Sequence, residues 1–150
     1  NLSYVPAANE NGPKTFTVTV SDGVSSSSTA MVTITLDPVN DAPTLTSGST
    51  VTYLEKGVGV PIDPALTVAD VDDVILNSAT VSIESPVTGD LLSLGNQDGI
   101  NAAYDATTGI LSLTGSAPLS VYQAALRSVV YSSSSSNPNV GGTRLTRTIR

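Results

Sequence analysis

The sequence predicts an all-β sandwich with one short crossover helix over about residues 118–129. Three observations support this. The composition is poor in aromatic residues (4%) and charged residues (13%) and rich in small polar and β-branched ones, which suits short strands joined by turns. Short apolar stretches with an alternating pattern recur between clusters of turn residues. Only the segment near 118–129 repeats with a helical period instead.

The first element is a hairpin. Residues 15–20 alternate threonine with apolar side chains, as expected for a half-buried strand. Asp22-Gly23 is a turn signal, and residues 30–36 alternate again as the returning strand. The sequence therefore predicts two paired strands within residues 1–37.

A proline-rich connector follows at 38–43. Pro38 and Pro43 cannot donate to a strand ladder, and Asn40-Asp41 between them favours an extended connection. The residues alone leave two readings about equally open: a boundary between domains, or an ordinary loop between strands.

Residues 44–150 continue the β pattern. Alternation predicts strands at 51–53, 79–83 and 109–115, and extended structure resumes at 129–131, with further short apolar pieces at 60–62, 66–73 and 91–94. In the predicted helix, Tyr122, Leu126 and Val129 recur at helical spacing, with Ser116 as N-cap and Pro118 in the first turn.

A last strand is expected to begin over 145–149. Arg147 falls on the same strand face as Leu145 and Ile149, which should point inward. This pattern predicts either an edge strand or a break in the register at Arg147.

Charge and missing residue types exclude several functions. The net charge of −7 argues against nucleic acid or an anionic membrane as partner, since both need basic patches. The chain has no histidine and no cysteine, which removes the usual Ser-His-Asp and Cys-His nucleophilic systems and zinc sites. No apolar run approaches the roughly 20 residues that span a bilayer. We therefore expect no enzyme activity and no membrane insertion.

The connector and the segments around it resemble a known family. Asp37-Pro38-Val39-Asn40-Asp41-Ala42-Pro43 looks like the linker of cadherin-like or Ig-like tandem repeats in large bacterial extracellular proteins of the adhesin type. The sequence before it, from Leu2 through Phe16-Thr17-Val18-Thr19-Val20-Ser21-Asp22-Gly23, resembles the closing hairpin of such a repeat. The resemblance favours the domain boundary and implies a secreted or cell-surface protein.

The resemblance also implies a domain division. Residues 1–37 would be the closing hairpin of a preceding repeat or a donated pair of strands, 38–43 the linker, and 44–150 a repeat that lacks its final strands. A sandwich without those strands has open sheet edges, which strands of a neighbouring repeat or of an identical chain could fill head to tail. The expected assembly is a tandem array or fibre.

Calcium at the linker is a further implication of the resemblance. The candidate ligands are Asn40, Asp41, Glu55, Asp70, Asp72 and Asp73. The sequence departs from the animal linker at Ala42, where a second asparagine is expected, and it has no twelve-residue EF-hand pattern. The alternative for each acid is a solvated turn residue.

Two functions are compatible with these features. The first is a structural or adhesive repeat whose stiffness depends on calcium or on strands from a neighbour. The second is a carbohydrate-binding module of an extracellular polysaccharide-active protein, with a surface polysaccharide as partner. In the second case Tyr53, Tyr104, Tyr122 and Tyr131 would stack on sugars, whereas burial of these side chains would favour a scaffold.

Overall fold

The computed structural model describes residues 3–95, 97–137, 140–142 and 146–150. The chain divides into two compact units, Asn1–Asp41 and Ala42–Arg150. The division falls inside the 38–43 segment that the sequence predicts as a linker. The assignment of these parts as tail, linker and incomplete repeat stays a prediction, and each unit is described by itself.

The first unit is a two-stranded antiparallel hairpin. Strands β1 (Gly12–Val18) and β2 (Ala30–Leu36) pair with Phe16 opposite Val32 and Val18 opposite Ala30. Side chains of paired residues share a face, so this register collects the apolar ones on one side. The ring of Tyr4 packs against Phe16 with 4.9 Å between the ring centroids.

The second unit contains eight strands and one helix among its described residues. In chain order they are β3 (Thr44–Thr46), β4 (Val60–Pro61), β5 (Thr67–Ala69), β6 (Ile75–Ser82), β7 (Asp90–Ser93), β8 (Asn101–Asp105), β9 (Ile110–Pro118), α1 (Leu119–Arg127) and β10 (Val130–Ser133). Two sheets have three strands each, in the orders β4-β10-β7 and β6-β9-β8. A third pairs β3 with β5, and every pairing is antiparallel. The predicted all-β Ig-like sandwich with a single short helix is confirmed.

The hydrophobic core draws on both three-stranded sheets and on the helix. Leu113 of β9, Leu92 of β7, and Tyr122 and Ala125 of α1 are all almost fully buried. Val129, directly after the helix, is buried with them. The inward residues of β9 and β6 alternate with half-buried or exposed ones, as the sequence pattern requires.

The helix confirms one prediction and corrects another. It carries the chain from β9 to β10, which belong to different sheets, so it is a crossover. Ser116, however, is not its N-cap, because the β9 ladder continues to Pro118, opposite Ile75. Pro118 is the residue before the first helical turn, and no side chain caps that end.

The strand predicted at 51–53 is wrong. That segment forms no ladder, and a turn follows in which Gly57 N–H donates to the carbonyl of Leu54 at 2.7 Å. Tyr53 is held by side-chain contacts instead: its ring meets that of Tyr131 edge-on at 5.1 Å, and its hydroxyl donates to the carbonyl of Ser133. Contacts of the Tyr53 side chain, and not strand pairing, hold the 51–53 segment in place.

The 146–150 segment lies beside the end of β6. Ile149 bridges Ile83 in antiparallel orientation, and Ser82 and Arg150 exchange both backbone hydrogen bonds, at 2.7 and 2.9 Å. Leu145 lies outside the described residues. The described part of the expected last strand is thus paired within the chain.

Candidate functional site

The predicted calcium ligands fall in both units. Asn40 and Asp41 belong to the first unit and are exposed, and the Asn40 side chain donates to the carbonyl of Asp41 at 2.9 Å. The other four, Glu55, Asp70, Asp72 and Asp73, belong to the second unit.

In the second unit these acids take part in local turns. Asp70 Oδ1 accepts the backbone N–H groups of Asp73 at 3.1 Å and Asp72 at 3.2 Å, and these bonds lower the pKa of its carboxyl. Glu55 lies exposed in the turn after Tyr53. Within the described ranges, no group of three or more acidic side chains is placed to hold a metal ion. The calcium set therefore stays a prediction.

One polar cluster of the second unit is centred on Asp90, which the sequence did not single out. Asp90 opens β7 and is buried. Its Oδ1 accepts the Tyr131 hydroxyl at 2.8 Å, and its Oδ2 accepts Val87 N–H at 2.9 Å and Arg147 Nε at 2.8 Å. The Tyr104 hydroxyl donates to the Asp90 carbonyl at 3.0 Å.

The electrostatics of this cluster keep Asp90 charged. Burial is the largest influence and acts to raise the pKa of the carboxyl, but hydrogen bonds from Arg147, Val87 and Tyr131 outweigh it and the pKa is lowered. Burial together with the bond to Asp90 raises the pKa of Tyr131 to about 12. The cluster joins β7, β8, β10 and the 146–150 segment.

This cluster explains why Arg147 lies on an inward-facing position. Its inward position is real, because its side chain is only 9% exposed and the Asp90 side chain is 0% exposed. A buried base needs an acid as its partner, but no local pattern in the sequence links Arg147 to Asp90, which lies 57 residues earlier in the chain.

A second buried acid, Asp63, fixes the loop before β4. Its carboxylate accepts the hydroxyls of Ser49 at 2.7 Å and Ser47 at 2.8 Å, and the N–H groups of Gly48 and Ala65. The two hydroxyl bonds are the main cause of a strongly lowered pKa. Asp63 thereby ties residues 47–49 to the turn that precedes β5.

Four tyrosines of the second unit pack and form hydrogen bonds in its interior. Tyr122 and Tyr131 are buried, and Tyr53 and Tyr104 are half-buried. Each of these four hydroxyls donates a hydrogen bond inside the unit, that of Tyr122 to the carbonyl of Gly115 at 2.6 Å. The described residues hold no exposed row of tyrosines of the kind that sugar stacking would use.

Comparison with known proteins shows a family and a relative that the chain resembles. Residues 1–35 match the family model of the bacterial Ig domain. The chain is also 34% identical over 144 residues to halomucin of Haloquadratum walsbyi (strain DSM 16790 / HBSQ001), an alignment covering 83% of this chain and 2% of that protein. The chain therefore spans a small fraction of its relative's length. No solved structure matches it.

The described helix is short. It comprises nine residues, and nothing among the described residues is a helix both long and apolar enough to cross a membrane.

Proposed function

We propose that this chain, an Ig-like repeat of the kind carried by large extracellular proteins, is a structural module that extends such a protein from the cell surface. In this role repeats follow one another in an extended array, and an adhesive tip or partner lies elsewhere in the whole protein. The proposal excludes catalysis as the role of this segment.

The use of the polar side chains within the second unit is the observation that carries this proposal. Asp63 and Asp90 are buried and bonded to backbone and side chains of their own unit, and so are the hydroxyls of the tyrosines. Such groups hold loops and strands in place, so few polar side chains of this kind are left to face a ligand. This favours a scaffold over the alternative of a carbohydrate-binding module.

Small-angle scattering of one, two and three copies joined in one polypeptide tests the extended array. An array predicts a radius of gyration that grows nearly in proportion to copy number. A compact protein would follow about the 0.38 power of chain length, roughly a 1.5-fold increase from one to three copies. Scaling of the compact kind would contradict the proposal.

Calcium stiffening is the finer part of the proposal. Carboxylate and amide oxygens of Asn40, Asp41, Glu55, Asp70, Asp72 and Asp73 are the ligand types that calcium prefers. A ligand that binds only the folded state raises the melting temperature. We expect calcium to raise that of the tandem protein, Asp70→Asn to abolish the rise, and Asp98→Asn, an exposed acid elsewhere, to retain it. An identical melt with calcium and with a chelator would contradict this part.

A further inference from the structure

Strand β8 is the edge of its sheet on the side opposite to β6. The sheet order is β6-β9-β8, and in the described part of the chain no strand pairs with residues 101–105 on the side away from β9. The 146–150 segment lies beside the end of β6. Any strand in that position is three strand spacings, roughly 14 Å, from β8. A strand beside β6 therefore leaves the β8 edge open.

The pairing at the start of β9 determines which backbone groups of β8 face outward. Gly109 accepts the N–H of Ile83, so its carbonyl points toward β6. In a trans peptide the next N–H, that of Ile110, points the opposite way, toward the last residue of β8. Hydrogen-bonded and non-hydrogen-bonded pairs then alternate along the ladder. Ala102 and Tyr104 therefore direct their N–H and carbonyl groups away from the sheet.

This edge lacks the usual protection against another strand. Edges that must stay unpaired commonly carry lysine, proline or a bulge. Strand β8 has neither lysine nor proline, its register with β9 is continuous from Asn101 to Asp105, and its one charge stands at its end. Its first three residues are exposed. The edge is therefore open to strand addition.

The side chains of β8 suit a second copy of the same strand, antiparallel and centred on Ala103. Each outward-facing residue then meets the other, with Ala102 opposite Tyr104 of the second copy, and both of these pairs are hydrogen-bonded. Ala103 meets its own copy in a non-hydrogen-bonded pair, where side chains come closest. A methyl group fits at this position without crowding.

The ends of the strand are also complementary in this register. Asn101 lies opposite Asp105 of the second copy, twice by symmetry, so an amide donor faces a carboxylate acceptor. Within its own chain the Asp105 carboxylate accepts the N–H of Thr107 at 2.8 Å on one oxygen and the hydroxyl of Thr108 at 2.9 Å on the other. Each carboxylate oxygen has a second lone pair, which can accept the amide.

We propose that two copies of this chain pair through their β8 edges, antiparallel about Ala103, with Ala102 opposite Tyr104 and Asn101 opposite Asp105. The pairing joins the β6-β9-β8 sheets of two molecules into one six-stranded sheet. Because the contact is two-fold symmetric, it closes at the dimer. It joins two chains side by side and goes beyond the proposed array, which concerns repeats within one chain.

Disulfide trapping of Ala103→Cys tests this pairing. The chain has no native cysteine, so the engineered one can bridge only to its own copy. The two Cα atoms of a non-hydrogen-bonded pair lie about 4.5 Å apart, within the range for a disulfide. In a glutathione buffer we expect the disulfide-linked homodimer, identified by intact mass.

Ala106→Cys is the matched control, since it makes the same substitution at another exposed position. In the proposed register the two copies of residue 106 are roughly 20 Å apart and cannot bridge. We expect at least about tenfold more dimer from Ala103→Cys, a preference of roughly 1.4 kcal/mol. Equal yields from the two variants would overturn the proposal.

Ala102→Pro, added to Ala103→Cys, tests the main-chain hydrogen bonds. Proline removes the outward N–H of residue 102, which the ladder with β9 does not use. We expect the melting temperature to stay close to that of Ala103→Cys and the dimer yield to fall to the level of Ala106→Cys. An unchanged dimer yield would refute strand pairing. If the proline variant melts lower, the comparison of Ala103→Cys with Ala106→Cys still decides.

The outcome is distinct from that of the scattering test. Extended tandem copies without the Ala103→Cys dimer would leave the array standing and refute the β8 pairing. The dimer in a protein whose tandem copies scatter as a compact particle would support the pairing and refute the array.

Discussion

Asp90 joins parts of the second unit that are far apart in the sequence. Its carboxylate is bonded to Tyr131, 41 residues away, and to Arg147, 57 residues away. Removing one partner of a buried ion pair leaves an uncompensated charge in the interior. The stability of this unit should therefore depend on Arg147 more than on any base at the surface.

Arg147→Met tests this dependence. We expect it to lower the free energy of unfolding by about 3 kcal/mol, because Asp90 then lies buried without its main counter-charge. Arg150→Met is the matched control: its ion pair with Glu84 spans 3.3 Å and is 72% and 51% exposed. Exposed pairs contribute at most about 1 kcal/mol. Equal losses in urea unfolding would show that the Asp90 cluster does not stabilise the fold.

Asp63 predicts how stability depends on pH. Hydrogen bonds hold the folded pKa of Asp63 below its ordinary value, so the unfolded chain takes up the proton first. Its contribution is present above the unfolded pKa near about 4 and is lost as the pH falls.

The test compares Asp63→Asn with the wild type between about pH 7 and pH 3. We expect the variant to unfold at lower urea concentration at neutral pH and to lose part of the decline that the wild type shows on acidification. Asp98→Asn, at an exposed position, controls for the loss of one carboxylate. An unchanged acid decline in Asp63→Asn would contradict the account.

At the residue scale, the sequence could identify an anomaly without resolving it. The inward position of Arg147 was visible from strand alternation, but its partner is 57 residues earlier in the chain. Alternation gives the face of a residue and carries no information on which other segment meets that face.

Among the elements, β9 depends on one close backbone contact. Gly115 has a φ of +137°, and a Cβ atom there would lie 2.0 Å from the carbonyl oxygen of Gly99. Its own carbonyl accepts the hydroxyl of the buried Tyr122. A side chain at position 115 would therefore push β9 away from the 99–100 turn and from the helix.

Gly115→Ala is expected to lower the free energy of unfolding by roughly 1–3 kcal/mol, the usual cost of overpacking. Gly95→Ala is the control, because a Cβ at Gly95 meets nothing within 4 Å. Thermal unfolding of both variants gives the comparison. A Gly115→Ala protein as stable as Gly95→Ala would mean that the 99–100 turn moves away from position 115 without loss of stability.

Elements with strong periodicity were predictable, and those determined by tertiary contacts were not. The hairpin and the helix follow from local patterns, and both lie where the sequence placed them. The 51–53 segment has the same local pattern as a strand, yet contacts of Tyr53 with residues 131 and 133 position it instead. The prediction of Ser116 as the N-cap is wrong for a similar reason, since pairing with β6 extends β9 past Ser116.

At the scale of the whole molecule, the sequence predicted the class of protein better than its sites. The linker motif and the hairpin before it indicated a repeat of a large extracellular protein, in agreement with the bacterial Ig domain match and the similarity to halomucin. The calcium ligands depend on how linker and loops converge, and residue spacing does not determine that. Calcium binding by these residues stays a prediction, which a calcium titration can test.

The central claim is that this chain is one repeat of an extended array. Small-angle scattering of one, two and three copies joined in one polypeptide tests it most directly. The account predicts a radius of gyration that grows nearly in proportion to copy number. Growth with about the 0.38 power of chain length, roughly 1.5-fold from one to three copies, would contradict the claim.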